Sequence, residues 1–114
     1  KMSFSDRTEK LTEHLIQAEY ENACKQFGDK YHSLHEAYAV LLEEVEEVIT
    51  EVKELINNKK RIWYYLKNYD PNTVNVCLAQ SIGFAEGSVE NAIKELAQVG
   101  AVLQKIENTL VVEE

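Results

Sequence analysis

The sequence predicts an all-α protein, and three observations carry that reading. Glycine occurs four times and proline once in 114 residues, so turn punctuation is scarce. Apolar residues recur in steps of three and four over two long stretches. Start and stop signals for helices stand at the ends of those stretches. The expected architecture is a long antiparallel helical hairpin plus an N-terminal helix, with a four-helix-bundle-like core completed by oligomerisation.

The first helix is expected to start at Ser5, whose hydroxyl can accept from a free amide while Asp6 and Glu9 favour the positive end of the helix dipole. Ile16, Tyr20, Ala23 and Phe27 then follow at helical spacing, and Gly28 is placed to let the chain leave in a left-handed conformation. This helix is assigned to pairing with a second copy. A second start lies at Ser33, with Glu36 three residues on, the pattern of a capping box. From Leu34 the stripe runs through Tyr38, Leu41, Val45, Val48, Val52, Leu55, Lys59, Ile62, Leu66 and Tyr69, and only Lys59 is polar.

Asp70 and Pro71 stop that helix and are read as N-cap and first position of the next. Val74, Leu78, Ile82, Ala85, Val89, Ala92, Leu96, Val99, Leu103, Ile106 and Leu110 form its stripe, and Gly83 and Gly87 mark a place for a kink. Residues 5–110 are thus one helical domain. Residues 1–4 are expected to be a disordered tag or N-terminus, Lys1 before Met2 reading as a cloning remnant, and residues 111–114 to be a frayed tail.

Composition narrows the function. At 13.1 kDa the chain is too short for a two-domain enzyme, and a site between helices or subunits suits it better than a deep cavity. Twenty acidic against twelve basic residues give a net charge of −8, which disfavours nucleic-acid binding. A sequence-specific DNA regulator would need a basic recognition helix, and none is seen. No run of eighteen apolar residues is present, so no membrane partner is expected. Two cysteines and no signal-peptide pattern point to a reducing, cytoplasmic setting.

The acidic residues are not spread evenly. Seven glutamates (36, 43, 44, 46, 47, 51 and 54) stand against the single Lys53 between positions 36 and 54. At 100° per residue, Glu44, Glu47 and Glu51 fall on one strip beside the Leu41, Val45 and Val48 seam, while Glu46 points away. Carboxylates beside a buried seam repel one another unless a cation neutralises them. Glu95 and Gln98 flank the last stripe, so an antiparallel hairpin would set them opposite Glu44 and Glu47. Four oxygen-bearing side chains then suit magnesium, which takes oxygen ligands and keeps waters that a phosphate can replace. A solvated glutamate-rich face remains the alternative at this point.

The run His35–Val48 resembles the first metal-binding helix of the all-α nucleoside triphosphate pyrophosphohydrolases, the MazG-like superfamily, in its small phage and prophage form. Glu43, Glu44 and Glu47 match the E-E-x-x-E motif of that family. Lys94–Ala101 is similar to the segment carrying the second motif, E-x-x-D, with Glu95 in place and Gln98 where the fuller motif has aspartate. The resemblance covers roughly two thirds of the chain, from Lys30 to Glu107. The gap from Glu47 to Glu95 is longer than in the compact enzymes.

The resemblance implies a magnesium (or manganese) ion held by Glu44, Glu47, Glu95 and Gln98. It also implies cleavage of a nucleoside triphosphate between its α and β phosphates, with Glu43, Glu44, Glu47 and Glu95 as the catalytic set and Glu43 as candidate base. From the residues themselves, Lys59, Lys60, Arg61 and Trp63 are candidates to hold triphosphate charge and stack a base, with Lys67, Tyr64 and Tyr65 nearby. The same aromatics could equally fill a core or subunit interface. The partners expected are a nucleoside triphosphate and one or three further copies of the chain. The runner-up reading is a catalytically silent helical dimer acting as a binding or structural module. His32 and His35 lack a third ligand at zinc spacing, His14 is isolated, Cys24 has no activating base, and Gly83 and Gly87 lack the residues of a phosphate loop.

Overall fold

In a computed structural model, residues 3–73 and 75–110 are described, Phe4 by its backbone alone. Val74 and the residues expected to fray, 111–114, lie outside them, as do Lys1 and Met2. The described residues form three helices and no strand: α1 (Phe4–Phe27), α2 (Leu34–Lys67) and α3 (Val76–Leu110). None of these helices is long and apolar enough to cross a membrane.

Capping explains where α1 and α2 begin, and the starts of α1 and α3 differ from the sequence expectation. Helix α1 is capped by Ser3, not Ser5: Ser3 Oγ accepts from the Asp6 amide at 3.1 Å and donates to Asp6 Oδ2 at 2.7 Å. Serine and an acid three residues on satisfy each other, which leaves Ser5 inside the first turn. Gly28 ends the helix at φ 83°, donating to the Cys24 carbonyl at 2.9 Å. Ser33 caps α2 through the Glu36 amide (3.1 Å), while the Glu36 carboxylate reaches the His32 amide (3.5 Å) and not that of Ser33 itself.

Asp70 does not cap α3. It organises a turn, accepting from the Asn72 amide at 2.9 Å and the Thr73 hydroxyl at 2.9 Å, and the Thr73 amide donates to its carbonyl. An aspartate before proline satisfies its own turn first, so α3 starts only at Val76. The Asn72 amide, and next the Thr73 hydroxyl, hold the Asp70 carboxyl below its ordinary value. Its folded value being depressed, the turn's contribution is complete above the ordinary aspartate range and is lost as pH falls through the lowered one.

The helices contribute to two compact units. Among the described residues, one comprises 3–45 and 95–110, the other 46–73 and 75–94. In the first, α1 lies against α3 of its own chain, where sequence reasoning had assigned it to a second copy. Ile16 sits at Gly100, and the Asn108 amide bonds the Tyr20 hydroxyl. The second unit is a helical hairpin, in which the Tyr65 hydroxyl meets the Cys77 thiol beside the turn, and Asn58, Leu78, Ser81 and Ser88 are buried.

The seam of α2 is displaced from the predicted one. Facing inward are Ala37, Leu41, Glu44, Val48, Glu51, Leu55, Asn58, Ile62 and Tyr65, all buried or half-buried and spaced by alternating fours and threes. Seven of the eleven residues of the predicted stripe, including Tyr38, Val45, Val52 and Leu66, are exposed instead. On α3, likewise, Leu78, Ala85, Ala92, Val99 and Ile106 turn inward, whereas Ile82, Val89, Leu96, Leu103 and Leu110 do not. The inward face of α3 is small, with Ser81, Ala85, Ser88 and Ala92, and small residues leave room for the longer polar side chains of α2.

Gly83 and Gly87 sit within unbroken α3, and a Cβ added at either would meet nothing within 4 Å. Gly83→Ala and Gly87→Ala are therefore each expected to stabilise the fold by about 0.5–1 kcal/mol, seen as a higher midpoint in thermal unfolding. A lower midpoint would mean that something packs on these glycines.

Candidate metal centre

Helix α2 carries Glu44 and α3 carries Glu95 and Gln98, all three half-buried in the first unit. With its amide oriented to suit its neighbours, Gln98 donates from Nε2 to Glu95 Oε2 at 2.9 Å and to Glu44 Oε2 at 3.1 Å. One NH2 group thus holds two carboxylates together. Glu47 follows Glu44 by one turn of the same unbroken helix, so helix geometry sets it beside Glu44. One carboxylate oxygen from each of Glu44, Glu47 and Glu95 lies within 4.8 Å of the others.

Three hard oxygen donors and an amide match what magnesium or manganese takes, and they do not match zinc, which favours nitrogen and sulfur. At such a separation two carboxylates repel by between about 1 and 3 kcal/mol, depending on how far water is excluded. Glu43 is exposed and, at 100° round the helix from Glu44, is not one of the three.

A cavity of about 670 Å³ opens beside the cluster and shares Glu44 and Gln98 with it. Its wall is built wholly from the first unit. Helix α1 gives Glu19, Asn22, Ala23, Gln26 and Phe27, the following loop gives Tyr31 and His32, and α3 gives Ala101, Val102 and Lys105. Lys105 is 6% exposed, and its Nζ sits 4.3 Å from the centre of the Tyr31 ring. The Tyr31 amide donates to Thr109 Oγ1 at 2.9 Å, fixing the loop to the end of α3. Burial, followed by the nearby charges of Glu36 and Glu44, raises the Tyr31 phenol above its ordinary value. Tyr20 is also raised, first by its hydrogen bond to Cys24.

Sequence reasoning did not single out Tyr31, Lys105, Glu19, Asn22 or Gln26, and it placed Ala23 and Phe27 in the apolar stripe of the first helix without assigning them to a site. A signal for Lys105 exists: beyond Glu95 it is the one charged residue on the inward column of Gln98, Val102 and Thr109. The α1 residues carry none, because their place depends on how α1 docks on α3.

The basic cluster lies elsewhere on α2. Lys59, Lys60, Arg61 and Trp63 are exposed; Arg61 reaches Asn58 Oδ1 at 3.5 Å, and Lys67 Nζ stands 5.6 Å over the Trp63 ring. Lys59 follows Glu47 by twelve residues of continuous helix. That is about 18 Å of rise, well beyond a lysine's reach.

No family model, no curated protein and no solved structure matches the chain.

Proposed function

We propose that this protein is a magnesium-dependent nucleoside triphosphate pyrophosphohydrolase of the MazG-like kind, converting a ribo- or deoxyribonucleoside triphosphate and water into the monophosphate and pyrophosphate. The observation that carries the reading is the convergence of Glu44, Glu47 and Glu95 to within 4.8 Å beside a cavity large enough for a nucleoside. The family resemblance around Glu43–Glu47 and Glu95–Gln98 supports it.

In this reading Glu44, Glu47 and Glu95 hold the cation, and Gln98 turns its amide to present oxygen in place of NH2. A bound magnesium ion supplies charge neutralisation at the phosphates and a water of lowered pKa. The chain's own groups do the rest. Tyr31 offers a ring for stacking, and Asn22 and Gln26 offer amides to a base edge. Val40, Ala101 and Val102 keep one wall of the cavity apolar. Glu43, exposed next to the cluster, is the candidate base that takes a proton from the attacking water.

Gln98→Asp tests the role of position 98. It adds a charge to the ligand set and removes the NH2 that joins Glu44 to Glu95. The variant is expected to bind manganese about tenfold more tightly, yet to unfold at a lower temperature when the metal is chelated. Unchanged affinity would take Gln98 out of the set.

A second reading, a helical dimer that binds or scaffolds without catalysis, is favoured by the long exposed apolar stripe of α2. Pyrophosphate release from a panel of ribo- and deoxyribonucleoside triphosphates decides between the two. The enzyme reading expects magnesium-dependent release from at least one of them, and silence across the panel supports the module.

A further inference from the structure

The cavity has two charged ends, both within the first unit. At one, Glu44 and Gln98 face each other across α2 and α3. From there Glu36 lies eight residues back along α2 and Lys105 seven residues on along α3, about 12 Å and about 10 Å of helix rise, so the two arrive together at the other end. Both meet Tyr31 there. The Lys105 ammonium sits 4.3 Å from the centre of the Tyr31 ring. Burial, then the charge of Glu36 and after it that of Glu44, raises the Tyr31 phenol, which places Glu36 close to the same ring. Glu36 is half-buried and spends one oxygen on the His32 amide at 3.5 Å, with no ion pair to Lys105.

Lys105 turns its charge into the cavity. The side chain is 6% exposed and its ammonium donates to no acceptor among the described residues, while no wholly buried side-chain nitrogen or oxygen among them lacks a partner. The ammonium is therefore open to the cavity that Lys105 lines. A charge this far from bulk water is costly until an acceptor meets it. Its height over Tyr31 indicates which acceptor. A base stacked off-centre on an aromatic ring lies one van der Waals layer above it, about 3.5–4.0 Å. An ammonium at 4.3 Å stands in nearly that layer and meets such a base at its edge.

We propose that the cavity selects a base whose edge carries a carbonyl oxygen next to a ring N–H, as in uracil, thymine, guanine and hypoxanthine, with Lys105 donating to the carbonyl and Glu36 accepting from the N–H. This base preference rests on the nucleotide reading of the same cavity and narrows its substrate class. Adenine and cytosine carry an amino group and a bare ring nitrogen at those places, which sets donor against Lys105 and acceptor against Glu36. Both charged groups are then left unmet, and a site built on polar groups rejects such a mismatch far more strongly than an apolar pocket does. The carboxylates of Glu19, Glu36 and Glu44 round the cavity also suit a neutral base better than a bare anion.

Matched nucleosides test this without metal or phosphate. Inosine differs from adenosine, and uridine from cytidine, at that edge alone. In NMR titrations of the metal-free protein in chelator, the keto member of each pair that binds is expected to bind at least about tenfold more tightly than its amino partner. Lys105→Met keeps the stem and removes the ammonium, and is expected to bring the keto nucleoside down to the level of its partner. Glu36→Gln, which keeps an acceptor for the His32 amide, is expected to narrow the preference as well. Equal affinity within the pairs, no binding of either pair, or a preference unchanged in either variant overturns the proposal. Pyrophosphate release is not among these readouts, so a protein that binds inosine over adenosine and cleaves no triphosphate sinks the enzyme reading alone.

Discussion

The Glu44→Gln, Glu47→Gln variant is expected to release pyrophosphate at least about a hundredfold more slowly than the unsubstituted protein, the scale on which losing preorganised charge at a reacting phosphate acts. The same variant is expected to be the more stable protein when divalent metal is chelated. Glu44, Glu47 and Glu95 stand within 4.8 Å, and removing two of the three charges relieves repulsion worth at least about 1 kcal/mol. Adding magnesium should reverse the order, because only the unsubstituted site gains a neutralising ion. Unfolding curves with chelator and with magnesium read this crossover. A variant that loses activity and also melts lower in chelator would show that the carboxylates support the fold and not a site.

Gly100→Ala is expected to destabilise the protein by about 1–3 kcal/mol, opposite in sign to the same change at Gly83 or Gly87. An added Cβ would meet Ile16 Cγ1 at 2.8 Å, Cδ1 at 2.9 Å and Cγ2 at 3.1 Å. Ile16 is β-branched within a helix and has one comfortable rotamer, so it cannot swing aside. The strain falls on the docking of α1, and through α1 on the cavity wall at Glu19, Asn22 and Gln26. Denaturant unfolding of Gly100→Ala, Ile16→Ala and the pair gives the coupling. The pair should cost less than the two single changes added together, and a coupling near zero would mean that the contact carries no packing energy.

The helices were legible because their signals are local: serine caps, Gly28, and long columns at steps of three and four. The choice of face was not. Helix α2 has three neighbouring apolar columns, those of Leu41, Tyr38 and Leu42, and the predicted stripe takes the first two. The chain uses one of these and pairs it with the polar column of Glu44, Glu51 and Asn58. Ser81, Ala85, Ser88 and Ala92 on α3 were the overlooked signal, since small residues accommodate long polar partners. Placing Glu95 and Gln98 opposite Glu44 needed only antiparallel pairing, which the short turn enforces. The cavity wall was hidden because it depends on α1, whose docking is set by Gly100 against Ile16 and Tyr20 against Asn108. Those contacts join residues more than eighty positions apart, and nothing in either segment alone announces them.

Calorimetric titration of the metal-free protein with manganese tests the central claim most directly. Saturable binding of one ion per chain is predicted, lost in the Glu44→Gln, Glu47→Gln variant and kept when the exposed Glu46 is changed to glutamine. A flat trace for the unsubstituted protein, or equal heats from all three, would contradict it.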